Sequence, residues 1–286
     1  MFSMELILAA FGGGVFGALI GALPAFIFTG FVGLIGVAVL ASGGAGTILG
    51  DVVFGTLLGP HIAFAGGVAA AAYAANKKNY LASGGDILTP LKKTNDVSVI
   101  LVGGIFGILG YIINGFYASM ALPTDTVAMT VFTSGIIARF AFGQTGLFGK
   151  YSAQSEVAAT TELGKRSFVP DSKSFAFIAL YSFGLGLVIS YLVDLTQINV
   201  LGFCISAALL IFAQMGFDMP ATHHITLIAG YAAIATGNIF IGAIFAVISG
   251  ILCEVAALTF NSYSDTHIDP PATAIFILSF IIFIFM

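Results

Sequence analysis

Apolar runs of about 17–25 residues follow one another along this chain with only short breaks, and each is long enough to cross a bilayer as a helix. Inside hydrocarbon every backbone N–H and C=O must be satisfied within the protein, so a helix is the spanning form for runs of this length. Composition points the same way. Of 286 residues, 59% are hydrophobic and 8% charged, whereas a soluble domain carries about 25% charged residues. The net charge of −4 comes with no basic patch, which excludes a nucleic-acid partner. Cys204 and Cys253 lie in apolar stretches and read as small core residues, not as a disulfide framework. The N-terminal stretch MFSMELILAAFGGG lacks the basic region and cleavage site of a signal peptide and reads as a first membrane helix.

The nine basic residues set the orientation. Lys77, Lys78, Lys92 and Lys93 lie in 77–96; Lys150, Lys165, Arg166 and Lys173 lie in 144–173, with Arg139 just before it. Basic loops near membrane helices stay cytoplasmic, so both stretches face the cytoplasm and the chain belongs in the cell inner (plasma) membrane. The segment between them must cross an even number of times, and 97–119 and 125–143 fit, broken at Leu122-Pro123-Thr124. Before them come 5–27, 28–48 and 61–76; after them come 174–194, 198–216, 222–237, 239–260 and 270–286. The expected fold is therefore all-α and integral to the membrane, with about ten transmembrane helices and both termini outside. A re-entrant segment at 49–60 would alter the N-terminal count.

The two halves repeat. HIAFAGGVAAAA at 61–72 aligns with HITLIAGYAAIA at 224–235, GIFGILGYII at 104–113 with AIFAVISGIL at 243–252, and DTVAMTVFTSGII at 125–137 with DPPATAIFILSFII from 269. The blocks keep their order. The domain plan is then a first five-helix repeat, 1–143, a cytoplasmic linker, 144–173, and a second five-helix repeat, 174–286. Five crossings per half force the second half into the opposite orientation. Inverted repeats of this kind place a binding site near the midplane at the repeat interface.

GALPAFIFTGF at 21–31 and GPHIAFAGGVAAAAYAA at 59–75 resemble a permease-like family of prokaryotic integral membrane proteins of uncharacterised function. The resemblance covers most of the chain and implies no substrate or mechanism. The 5+5 plan is also similar to that of urea, ammonium and amino-acid transporters, in architecture alone.

Two interrupted segments stand at matching positions. Gly59-Pro60-His61 opens the third helix and Pro220-Ala221-Thr222-His223-His224 the eighth. Both are short of the ~20 residues a full crossing needs, and proline suits a first helical turn, so each helix is expected to begin inside the membrane with free N–H groups pointing inward. Gly59, Pro60, His61, Thr222 and His224 are the expected substrate-binding residues. His223 has no counterpart, and adjacent helical residues point about 100° apart, which sets it outside the site. Asp125 and Asp269 each open the last helix of a half, as N-caps or as sites for a coupling ion or proton. Glu254, inside an apolar helix, is the third such candidate. Asp265, His267 and Asp269 fall on one side of an extended segment and could hold a divalent metal, although no metal or other cofactor is expected. Gly13, Gly17 and Gly21, and Gly103 and Gly107, recur at the four-residue spacing that lets helices approach closely. No phosphate loop, nucleophile elbow or zincin helix occurs.

The expected activity is a transporter or channel for a small solute, a small anion or polar neutral molecule, and not an enzyme. Its partners are the lipid bilayer, the small-molecule or ion substrate and a possible second copy of the chain. A membrane enzyme using His223, His224, His267, Asp265 and Asp269 around a metal, and a subunit of a larger complex, are the competing readings.

Overall fold

The structure, a computed structural model, describes residues 3–151 and 166–286. Lys165 and much of the expected linker 144–173 lie outside the described residues.

The described residues form eleven α-helices and no strand. They are α1 (Met4–Ile20), α2 (Ala22–Ala41), α3 (Ala63–Asn76), α4 (Val97–Ser119), α5 (Thr126–Phe142) and α6 (Ser172–Thr196). Then come α7 (Leu201–Leu209), α8 (Ile211–Gln214), α9 (His223–Thr236), α10 (Ile239–Phe260) and α11 (Pro270–Phe285). Four of them, α2, α4, α6 and α10, are long and apolar enough to cross a membrane by length and composition, the mark of a membrane protein. The longer helices start where the sequence offers an oxygen to an orphan N–H: Asp96 accepts from Ser98 N, Asp125 from Ala128 N, Asp171 from Ser174 N, Asn238 from Phe240 N and Asp269 from Ala272 N.

The first boundary differs from the expected 27/28. The chain turns at Gly21, where φ is +96°, and α2 starts at Ala22. Pro24 has no N–H and fits a first turn, so glycine and proline together fix the break six residues earlier. α2 ends at Ala41, and a π-helical turn, Ile48–Val53, and a loose turn lead to Ala63.

Packing follows one pattern in both halves. α1 lies against α3 and α4, α3 against α4 and α5, α4 against α5, and α2 against α3. α6 lies against α9 and α10, α9 against α10 and α11, α10 against α11, and α7 against α9. The halves meet where α2 packs on α7 and α5 on α11. Small residues allow the close crossings: a Cβ on Gly14 would collide with the backbone of Gly103 and Gly107, one on Gly17 with Ala63, and one on Gly186 with Ala243 and Ala246.

Arg139, near the end of α5, is 1% exposed. Its guanidinium donates to Leu147 O, Phe260 O, Thr266 O, Thr266 Oγ1, Asn261 Oδ1 and Ser264 Oγ. It thereby ties α5 to the loop between α10 and α11. From the other side Asn76 Nδ2 donates to Asp265 O, and Gly84 bridges Thr266.

Candidate functional site

A cavity of about 700 Å³ opens between the halves. Its walls hold the beginnings of four helices: Pro60 and Phe64 at α3, Asp125 and Ala128 at α5, His223 and His224 at α9, and Asp269 and Ala272 at α11. Phe26 of α2 stands between the α3 and α9 starts, its ring centroid 5.6 Å from Phe64 and 4.7 Å from His223. The two interrupted helices thus open onto one space, with an aromatic ring between them.

Asp125 is the N-cap of α5, and its other carboxylate oxygen accepts from Tyr231 Oη at 2.9 Å. Its backbone N donates to Ser279 Oγ of α11 at 2.8 Å. Asp269 is the N-cap of α11, with Pro270 and Pro271 following and His267 Nε2 at 3.1 Å from its carboxylate. Ten residues of α11 separate Asp269 from Ser279, so the two carboxylates sit roughly 15 Å apart along that helix at 1.5 Å per residue. Glu254 of α10 also lines the cavity, without a hydrogen bond from any described residue.

His223 and His224 open α9 together, 6% and 3% exposed, with ring centroids 5.8 Å apart. Both line the cavity, and among the described residues no group bonds their Nδ1 atoms. The 100° separation that set His223 aside on sequence grounds does not keep it away, because the cavity wraps the helix end. His61 is buried, but its ring lies over Gly59 and outside the cavity lining. Pro60 lines the cavity; Gly59 and Thr222 are not among its lining residues. The turn before α3 also differs from the expected set of free donors. Ile62 N and Ala63 N donate to Gly59 O, and Ala65 N donates to Pro60 O.

Asp265 does not join His267 and Asp269. Its carboxylate accepts from Gln144 N and Thr145 Oγ1, at 2.8 and 2.7 Å, on the far side of the Arg139 loop. The chain before the prolines is extended as expected, with Asp269 at φ −69° and ψ 112°, but the bonds to Gln144 and Thr145 hold the Asp265 carboxylate away from the other two. Among the described residues no group of three His, Cys, Asp or Glu is placed to hold a metal. Phe26, Phe203, Tyr181 and Tyr231 carried no sequence signal, since aromatic residues abound in every run.

Outside the membrane helices, Asp96 accepts from Ser98 and from Lys78 Nζ at 3.0 Å, which holds its carboxyl well below the usual carboxylate range. The same bond raises Lys78 above the usual lysine range.

No curated protein and no solved structure matches the chain. The sequence model of one family matches it over residues 1–158 and again over 150–286. The two matches take in the whole length, and the chain therefore belongs to the family of unknown function DUF7973.

Proposed function

We propose that the protein is a transporter or channel for a small polar solute, built from two inverted five-helix repeats, 1–143 and 174–286, that cross the cell inner membrane ten times. The observation that carries the reading is the convergence of four helix starts, two from each half and pairwise equivalent, on one cavity between the halves. Equivalent residues also meet each other, as across a two-fold axis. Phe132 and Phe276, aligned in the repeat, pack against each other with centroids 5.0 Å apart and ring planes tilted by 38°. Thr124 and Asp125 bond Ser279, while at the equivalent contact Ile268 lies against Gly135. The double match to one family model supports the same reading. Sites at the interface of inverted repeats, formed by interrupted helices, are the recurring plan of secondary transporters.

Asp125, Asp269 and Glu254 are the groups fitted to hold a coupling proton or cation, since carboxylates in a membrane interior are costly and tend to line pathways. His224 and Pro60 carry the substrate contacts. The metal-enzyme reading would need Asp265 beside His267 and Asp269, and its carboxylate is held elsewhere.

The test is solute flux in proteoliposomes holding the full chain, scored by light scattering against a panel of small polar solutes. Flux above protein-free vesicles, reduced in His224→Ala with the protein still folded, is expected. Vesicles no more permeable than protein-free ones, for every solute, would remove the pathway.

A further inference from the structure

The charge in the cavity selects the solute. Among the described lining residues there are three carboxylates, Asp125, Glu254 and Asp269, and no lysine or arginine. Four helix starts contribute about +0.5 charge each, close to +2 against −3. Asp125 and Asp269 each cap a helix start and are compensated there. The α9 start is uncapped and keeps a partial positive charge, which falls short of the full negative charge of Glu254, a side chain that no described residue bonds. An anion would add to that charge, and at the α3 start Ile62 N, Ala63 N and Ala65 N are already bonded to Gly59 O and Pro60 O.

A second observation points to a ligand. His223 and His224 are more than nine-tenths buried and line the cavity, and no described group bonds either ring; their Nδ1 atoms are turned into the protein, which leaves the rest of each ring to the cavity. Buried polar atoms ordinarily find a partner. The rest of the wall is apolar and aromatic: Phe26, Phe54, Phe64 and Phe203. A cation gains from aromatic faces when desolvated.

We infer that the cavity takes a protonated amine with an apolar body, its ammonium head at Glu254 and its body against the phenylalanine walls. The inference rests on the pathway reading for the location of the site, but binding and flux separate the two. Amine N–H groups are the donors that carboxylates and neutral imidazoles accept. A metal cation would leave the phenylalanine surface unused in a space of about 700 Å³.

The experiment uses three probes of nearly one shape: phenethylamine, 2-phenylethanol and phenylacetate. Binding to the full chain in nanodiscs is measured by calorimetry, and flux of the same probes in proteoliposomes. Phenethylamine should bind about tenfold or more tightly than 2-phenylethanol, with phenylacetate weaker still. Glu254→Gln should erase the difference between amine and alcohol, a change that mere loss of folding would not produce. Phenylacetate or the alcohol binding as well as the amine, an amine preference unaffected by Glu254→Gln, or no binding of any probe would each overturn the inference. Flux of the alcohol or the anion without amine binding would overturn it and leave the pathway standing. Amine binding without flux of any probe or of any solute in the panel would keep the inference and remove the pathway.

Discussion

Arg139→Met tests whether the loop that carries His267 and Asp269 into the cavity is held from behind. Methionine keeps most of the length and none of the donors. Six acceptors lose an arginine donor: the carbonyls of Leu147, Phe260 and Thr266, and the side-chain oxygens of Asn261, Ser264 and Thr266; of these, Thr266 O keeps the Ser264 hydroxyl and Asn261 Oδ1 keeps Ile268 N. A hydrogen bond to a charged donor contributes roughly 1.5–3 kcal/mol. Six such values cannot be summed, because one side chain makes them all and the loop can turn some acceptors to water. Desolvation of the guanidinium, relieved in the variant, offsets part of the loss. Leaving a buried neutral acceptor unpaired costs about 1–3 kcal/mol, and with the loop able to turn some of them to water the expected fall in stability is about 2–4 kcal/mol. Arg139→Lys keeps the charge but offers only three donors from one point, too few for a fork that reaches six oxygens. It should recover less than half.

Thermal unfolding of the detergent-solubilised protein reads the global effect, and hydrogen exchange of the 261–268 peptide reads the local one. Both should change together, with faster exchange at Thr266 and Ile268 than in α4, which is remote from the loop. An Arg139→Met protein with unchanged melting and unchanged exchange at 261–268 would refute the argument that this arginine supports the site.

Three further outcomes follow from particular contacts. Tyr231→Phe removes the donor to Asp125 Oδ2 and should cost about 1–2 kcal/mol, measured by the same melt; Asp125→Asn in the Phe background should then cost less than in the wild type, and equal costs would deny the pair. Gly110→Ala would drive a Cβ into the carbonyl of His61 and should destabilise by roughly 1–3 kcal/mol through overpacking. At the position aligned with it, Ser249 Oγ donates to His224 O at 3.0 Å, so Ser249→Ala should lose about 1 kcal/mol without displacing the helix. For pH, Asp96 is depressed, so its stabilisation is present above the ordinary carboxylate range and is lost as pH falls through its lower folded value; Lys78 is raised, so its share is present below the ordinary lysine range and is lost as pH rises through its higher folded value. A nitroxide at Ala82→Cys in the 77–96 loop should therefore stay restrained across neutral pH and loosen at either extreme, and Asp96→Asn should loosen it at neutral pH; an unchanged spectrum in that variant would dismiss the clasp.

Helix spans were legible because apolar length is a coarse signal that tertiary packing does not move. The caps at Asp125 and Asp269 were legible for a local reason: a carboxylate beside proline, ahead of an apolar run, has one nearby use for its oxygens. Boundaries that depend on backbone conformation were less visible, and Gly21 shows why. One glycine in a glycine-rich run does not announce a positive φ until Pro24 is read with it. Arg139 was hidden for another reason. A basic residue near a helix end satisfies the orientation rule whether it faces water or is buried, and only the oxygens of Leu147 and of residues 260–266, far off in sequence, decide between them. Asp265 was misplaced because alternation along an extended segment ignores what lies across from it, here Gln144 and Thr145. His223 was set aside by an argument about helical faces that loses force at a helix's first residue.

In the repeat reading, frame and chemistry separate. The frame is held by positions where nothing larger than a small side chain fits, and these recur in both halves: Gly14 against Gly103 and Gly107, and Gly186 against Ala243 and Ala246. The reactive groups recur only in part: His61 aligns with His224 and Asp125 with Asp269, but the others have no like partner. Glu254 aligns with Gly115, Tyr231 with Val68, and His223 with Pro60. A symmetric frame gives two equivalent ways for the halves to lean on each other at the α2–α7 and α5–α11 contacts. A ligand that favoured both equally would shift nothing between them, because only differential affinity moves such an equilibrium. With Glu254 and the two histidines that line the cavity on one half, a bound cation touches the moving parts unequally. The asymmetry in the wall is thus what would let a symmetric scaffold respond to its solute.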